Sequence, residues 1–200
     1  MPYGAWQSPY TFRMTATHVA GLMAYGAATV ACLFSRARAG RDPVMARVSA
    51  LLAVVEALLL FDIVFNWRWA LHNWLQDVFV AHHLYDRRRV VQVLMLAVVA
   101  AALALAIWFV LRRSRASRHQ WALAAVCGGC LSVGVWCVEV ISLHEVDRIL
   151  YIRVAGVLVV AYLWALPCLL TTVSILLAAR ASALGRQSGT GSTGSSEKTR

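Results

Sequence analysis

The sequence predicts an all-α polytopic membrane protein, a bundle of about five transmembrane helices with an interfacial amphipathic helix after the second. Of its 200 residues, 60% are hydrophobic, and the mean hydropathy is +0.66, whereas soluble domains are about 45–50% apolar. The apolar residues form five runs, each close to the roughly 20 residues that a helix needs to cross a bilayer. Because these runs are continuous rather than alternating, a transmembrane β-barrel is not expected.

The predicted spans take up most of the chain and leave no room for a soluble domain. They lie near 17–35, 44–66, 90–111, 121–143 and 154–179. Residues 1–181 therefore form one transmembrane helical domain. Residues 182–200 are rich in Gly, Ser and Thr, a composition typical of a disordered polar tail.

Local signals support the individual spans. Asp42 and Pro43 suit the N-cap and first helical position of the second span. The third span has Gln92 as its one polar residue, and Pro167 is expected to kink the fifth. Small residues, which let helices approach closely in lipid, occur in the first and fourth spans: Gly21, Ala24, Gly26, Gly128, Gly129 and Gly134.

The segment that follows the second span has the pattern of an amphipathic helix. Trp67, Leu71, Trp74 and Val78 recur at helical spacing with polar residues between them. Tryptophan favours the membrane interface, where its ring is apolar and its N–H reaches a polar partner. The pattern predicts a helix over 67–83, either at the interface or as an extension of the second span.

Three acids within the spans are the candidate catalytic residues: Glu56, Asp62 and Glu139. Glu56 lies ten residues before Asn66, about 15 Å deep at ~1.5 Å per residue. A carboxylate at that depth must pair, protonate or face a polar cavity. It is either a hydrogen-bonded packing residue or a proton-relay or ligand-site acid.

Asp62 and Glu139 are expected to lie at similar depth in the second and fourth spans. Sharing a proton, a metal or an arginine such as Arg68 would make both acids tolerable in lipid. We therefore expect these two spans to be in contact. An unbroken helix would also align Asp62 with Asn66 and Trp69 in one stripe, with Glu56 on a different face.

The histidines His72, His82, His83 and His144 are candidate metal or haem ligands, because imidazole and carboxylate groups on one side of the membrane form a ligand set. The spacing matches no known metal motif, and the adjacent His82 and His83 point to different helix faces. Solvated surface histidines are the simpler interpretation.

The cysteines indicate packing rather than redox chemistry. Cys127 and Cys130 form a CxxC pair with Cys137 on the same face, but all five cysteines fall within the spans. We interpret the CxxC pair and Cys137 as small packing residues.

The net charge of +10 predicts orientation rather than nucleic-acid binding. All but one of the 19 basic residues are arginines, clustered in short connections between spans. The connections after the first and third spans and the C-terminus hold twelve basic residues, against seven on the other side. The positive-inside rule predicts the N-terminus outside and the C-terminus cytoplasmic, in the plasma or inner membrane. No nucleic-acid-binding module accompanies the charge.

Arg87, Arg88 and Arg89 form a basic run on the predicted outer side, against that rule. The run is either an anchor for the third span or a site for an anionic lipid headgroup or substrate beside His82 and His83. The expected partners are therefore the bilayer and anionic headgroups, with oligomeric state open.

Three classes of function fit these features. The first is a small membrane enzyme or metal- or haem-binding protein with a polar pocket of histidines and carboxylates at its outer face. The second is a proton-coupled transporter or a transporter subunit, in which Glu56 relays protons. The third is a non-catalytic membrane scaffold or assembly protein, in which the polar residues only lock the bundle.

Overall fold

The computed structural model describes residues 15–40, 42–82, 87–114, 120–141 and 144–190. These residues form seven helices and one antiparallel pair of short strands. In chain order they are α1 (Ala16–Arg38), α2 (Pro43–Phe65), α3 (Trp67–Ala81), α4 (Arg88–Ser114), α5 (Gln120–Ile141), α6 (His144–Leu150), β1 (Arg153–Val154), β2 (Val157–Leu158) and α7 (Val159–Thr190).

Within the described ranges, five helices are long and apolar enough to cross a membrane: α1, α2, α4, α5 and α7. Among these five, α1 is the least apolar and α4 the most apolar. The chain is therefore a helical multi-pass membrane protein, as its composition predicts. A helix is also present where the amphipathic pattern predicts one, at α3.

The helix bounds agree with the predicted spans to within three residues for the first four. The fifth differs, because the chain first makes a hairpin between β1 and β2, and α7 begins only at Val159. Ala155 and Gly156 turn this hairpin with φ of 51° and 81°, left-handed values that favour glycine. At its other end α7 continues to Thr190, past the start of the predicted tail at 182. The last ten residues lie outside the described chain.

Four of the five candidate spans pack as a closed ring, in which α1 and α5 each contact both α2 and α7. The fifth, α4, packs against α5 from outside the ring. In its most apolar part, no residue is fully buried by the rest of the described chain. α3 also lies against α5. The ring is therefore the part of the protein that can enclose buried side chains.

The interior of the ring has two differently built halves. One half is lined by small and aliphatic residues such as Met45 and Ile175. The other contains larger side chains, including Tyr25 and Trp164. Glu56 lies between them, because its neighbours along α2 belong to the first half on one side and to the second half on the other.

The contact between α5 and α7 depends on a glycine. A Cβ atom on Gly128 would lie 2.4 Å from Thr171 Oγ1, 2.7 Å from the Thr171 backbone nitrogen and 2.9 Å from the Pro167 carbonyl oxygen. Two of these atoms belong to the backbone of α7 and cannot rotate away. Gly26 on α1 is the opposite case, since a Cβ there would meet nothing within 4 Å.

We predict that Gly128→Ala destabilises the protein, because α5 and α7 must separate to admit the methyl group. Overpacking of this kind typically costs about 1–3 kcal/mol. A lowered melting temperature of the purified protein in detergent would show the effect. Gly26→Ala is the matched control and should melt like the wild type. Equal melting temperatures for the two variants would contradict the close approach.

Candidate functional site

A single residue separates α2 from α3 and determines where α3 points. Asn66 adopts the left-handed conformation, with φ 58° and ψ 40°, which asparagine tolerates better than most residues. Its backbone N–H still donates to the Asp62 carbonyl at 2.6 Å. The stripe expected along an unbroken helix does not form, because the helix breaks at Asn66: Asp62 is buried, whereas Asn66 and Trp69 are exposed.

The break brings the first turn of α3 back over the end of α2. The backbone N–H of Arg68 donates to Asp62 Oδ1 at 2.8 Å, and its Nε lies 3.6 Å from Asp62 Oδ2. Arg68 Nε also donates to Asn66 Oδ1 at 3.4 Å. As a result the arginine is buried, with 8% of its surface exposed.

Arg68 also reaches across to α5 and α7. Its Nη1 donates to Glu139 Oε2, and the indole N–H of Trp164 donates to Glu139 Oε1. The guanidinium carbon lies 4.8 Å from the centre of the Trp164 ring, a cation–π contact. We call Asp62, Arg68, Glu139 and Trp164 the charged cluster. The expectation that α2 and α5 touch, and that Asp62 and Glu139 share a partner such as Arg68, is confirmed.

The charged cluster joins four helices, since α2, α3, α5 and α7 each contribute one member. In a low-dielectric interior, one arginine with two carboxylates is tolerable only if the hydrogen bonds of all three are largely satisfied. Here the carboxylate oxygens receive the guanidinium, an indole N–H and a backbone N–H. The arrangement fixes the position of α3, and a catalytic role for Asp62 and Glu139 stays a prediction.

A second polar group lies deeper, around Glu56, which is 0% exposed. Ser132 Oγ donates to Glu56 Oε1 at 3.5 Å, and Cys168 Sγ donates to Oε2 at 3.6 Å. The Thr171 hydroxyl is also buried and lies near the same carboxyl group. We call these residues the Glu56 cluster. In the described part of the chain, no cationic side chain forms an ion pair with Glu56.

The sequence pattern did not identify these partners of Glu56. The sequence assigned no role to Cys168, and its thiol donates a hydrogen bond to this buried acid. The available signal was the spacing of Trp164, Cys168 and Thr171 on α7, which places them on one helix face. Ser132 and Glu139 on α5, seven residues apart, share a face in the same way.

The candidate metal ligands are not brought together by the residues that the structure describes. His72 Nδ1 lies 3.1 Å from the Val140 carbonyl oxygen, and His82 is exposed at the end of α3. His83 lies outside the described ranges, as does the side chain of His144. Among described residues, no group of three or more His, Cys, Asp or Glu is placed to hold a metal ion. The metal or haem prediction stays open, and elemental and haem analysis of the purified protein tests it.

The arginine run stands at the start of α4, where Arg87, Arg88 and Arg89 are exposed. Its predicted role in binding anionic headgroups stays a prediction.

No family model, no curated protein and no solved structure matches this chain.

We predict that Arg68→Met destabilises the protein by about 3–5 kcal/mol, because two buried carboxylates lose their common cation. Unfolding in detergent with increasing denaturant measures the loss. The matched control is Arg47→Met, since Arg47 is exposed on α2. A variant with Arg68→Met, Asp62→Asn and Glu139→Gln together should recover much of the stability, because no uncompensated charge remains. Similar stabilities for the Arg68 and Arg47 variants would contradict a structural ion pair.

Proposed function

We propose that this multi-pass membrane protein is a proton-coupled transporter, or a subunit of one, in which Glu56 takes up and releases the transported proton. The observation that carries the proposal is the environment of Glu56. It lies near the middle of α2, fully buried, and its described hydrogen-bond partners are an uncharged hydroxyl and an uncharged thiol.

The physical argument begins with the cost of an acid in hydrocarbon. A charged side chain at the bilayer centre costs several kcal/mol, so such residues are rare and are typical of proton relays and ion pathways. A residue that only packs α2 against α5 and α7 could be apolar at no such cost. The partners of Glu56 carry O–H and S–H groups, which both donate and accept hydrogen bonds, as groups along a proton path must.

The two clusters lie along the same helix faces. On α5, Ser132 belongs to the Glu56 cluster and Glu139 to the charged cluster. On α7, Cys168 belongs to the Glu56 cluster and Trp164, one helical turn away, belongs to the charged cluster. This alignment supports a route for protons between the middle of the bundle and the end at which α3 lies.

The other two function classes have less support. An enzyme that used Asp62 and Glu139 would need their oxygens to reach a substrate, yet these oxygens bind Arg68, Trp164 and backbone. A scaffold would explain the charged cluster as a lock between helices and Glu56 as a hydrogen-bonded packing residue, but an apolar residue would pack at position 56 without the cost of burying an acid.

We predict that Glu56→Gln removes proton movement, because the amide keeps the shape of the side chain but carries no exchangeable acid proton. The purified protein is placed in liposomes that contain a pH-sensitive dye, and a potassium gradient with valinomycin drives protons inward. The wild type should acidify the interior faster than protein-free liposomes do, and the variant should be slower by roughly tenfold or more.

The control for this experiment is Asp77→Asn, which removes an exposed acid on α3 and should leave the rate unchanged. Wild-type liposomes that acidify no faster than empty ones would contradict the proposal, and so would an undiminished rate in the Glu56 variant.

We further propose that the N-terminus lies outside and the C-terminus in the cytoplasm, on the basis of the twelve-to-seven distribution of basic residues. A reporter that is active only in the cytoplasm should give signal when it is fused after residue 186. Signal from a fusion within 68–86 would reverse the orientation and place the charged cluster at the cytoplasmic face.

We also propose that α3 lies in the headgroup layer. Trp67, Trp69 and Trp74 are exposed on it, and Phe61 and Phe65 at the end of α2 continue the aromatic surface, with ring centres 4.4 Å apart. In a variant with Trp74 as its single tryptophan, lipids brominated near the carbonyl groups should quench the fluorescence. Quenching by water-soluble agents alone would contradict this placement.

A further inference from the structure

A groove between α1 and α7, on the outer surface of the ring, is a feature that neither polar cluster accounts for. It encloses about 500 Å³ and is lined almost entirely by apolar atoms. Its walls include four residues of α1 and two of α7, spaced four apart on each helix: Leu22, Gly26, Val30 and Phe34, and Thr172 and Leu176.

Gly26 leaves the groove open along its middle. Small residues on a span predict the close approach of a neighbouring helix, yet a Cβ atom at Gly26 would meet nothing within 4 Å among the described residues. Val30, the next residue of the row, has 66% of its surface exposed. In a membrane, such an apolar groove is filled either by a lipid acyl chain or by another helix.

The length of the groove favours an acyl chain. From Leu22 to Phe34, α1 rises about 18 Å at ~1.5 Å per residue. One leaflet supplies about half of the hydrocarbon core of roughly 30 Å, so the groove is close to one leaflet deep. A transmembrane helix from a second copy of the protein would cross both leaflets, whereas an acyl chain occupies one.

Each wall of the groove leads to an arginine. On α1 the residue four positions beyond Phe34 is Arg38, whose guanidinium carbon lies 4.3 Å from the centre of the Phe34 ring. On α7 the residue four positions beyond Leu176 is Arg180, which is exposed. Residues four apart are neighbours on a helix surface, so both arginines continue the rows that line the groove.

The two arginines lie at the same end of the bundle. The helices run in the same direction, with hydrogen bonds near both ends of α1 to α7 and to the strand before it. Close to the arginines, Ser35 Oγ donates to the Ile175 carbonyl oxygen at 3.3 Å. Arg38 and Arg180 follow these two residues by about one turn each, so the apolar groove has a basic end.

We propose that this groove binds an anionic phospholipid, with one acyl chain along Gly26 and Val30 and the phosphate at Arg38 and Arg180. The guanidinium group is the side chain best suited to hold a phosphate, and it stands at the end of a groove one leaflet deep. With the proposed orientation this end is cytoplasmic, the side on which anionic lipids produce a negative surface potential.

Native mass spectrometry of the full chain in detergent tests the proposal with two lipids that have the same acyl chains. Dioleoyl phosphatidylglycerol is anionic, and dioleoyl phosphatidylcholine has no net charge. The wild type should bind phosphatidylglycerol more tightly. Arg38→Gln should lower the affinity for phosphatidylglycerol by roughly fivefold, and the affinity for phosphatidylcholine should stay within about twofold of the wild type.

The second variant, Gly26→Leu, fills the groove without touching the described helices. It should lower the affinity for both lipids by roughly fivefold or more, because the leucine side chain occupies the place of the acyl chain. The matched controls are Arg47→Gln, exposed on α2, and Ala101→Leu, exposed on α4. Neither residue lines the groove, so both controls should bind the two lipids like the wild type.

Three results would overturn the proposal: equal affinities of the wild type for the two lipids, unchanged phosphatidylglycerol binding in Arg38→Gln, or unchanged lipid binding in Gly26→Leu. A wild-type dimer that Gly26→Leu dissociates, with lipid binding intact, would assign the groove to a second copy and also overturn it. If Gly26→Leu does not fold, Val30→Phe replaces it, because Val30 is exposed in the same groove. Weaker binding of both lipids then supports the proposal, and unchanged binding overturns it.

Discussion

The bond between Arg68 and the two acids Asp62 and Glu139 is the interaction on which the arrangement of the helices depends. Hydrophobic burial gives apolar spans little reason to associate in lipid, so packing and polar contacts must select their partners. Here one cation sits between acids from two spans and under an indole from a third. It enters through the reversal at Asn66, without which α3 would continue away from the bundle. A local backbone conformation and a long-range ion pair therefore require each other.

Because the ion pairs of Arg68 with Asp62 and Glu139 already hold these helices together, the bundle does not require Glu56 to form an ion pair of its own. The ring is closed at one end by the charged cluster and along its length by the close approach at Gly128. Glu56 lies between these two contacts and accepts hydrogen bonds from a serine hydroxyl at 3.5 Å and a cysteine thiol at 3.6 Å. The uncharged character of both partners is the feature on which the proposed role of Glu56 rests.

The amino-acid sequence predicts the spans well because crossing a bilayer requires only length and apolar composition, both of which can be counted. It also predicts the meeting of Asp62 and Glu139, since two costly acids at equal depth need a common partner. It does not predict the break at Asn66, which depends on one residue adopting a left-handed conformation. Nor does it identify Cys168 as a partner of Glu56, because helical periodicity gives the face on which a residue lies but not the helix that this face meets.

The peripheral position of α4 has a consequence for how the surrounding lipid acts on the protein. Near one end, Gln92 donates to the carbonyl oxygen of Ile141, the last residue of α5, at 3.0 Å. The other described side chains of α4 are half-buried or exposed, and Leu103 lies against Gly134 of α5. The candidate span Arg88–Phe109 has 22 residues and is about 33 Å long at ~1.5 Å per residue. A span whose outer face is open to lipid accommodates a change in bilayer thickness by tilting, within what its packing on a neighbouring helix permits. For α4 that neighbour is α5, so a change in its tilt would bear first on the helix that carries Ser132 and Glu139.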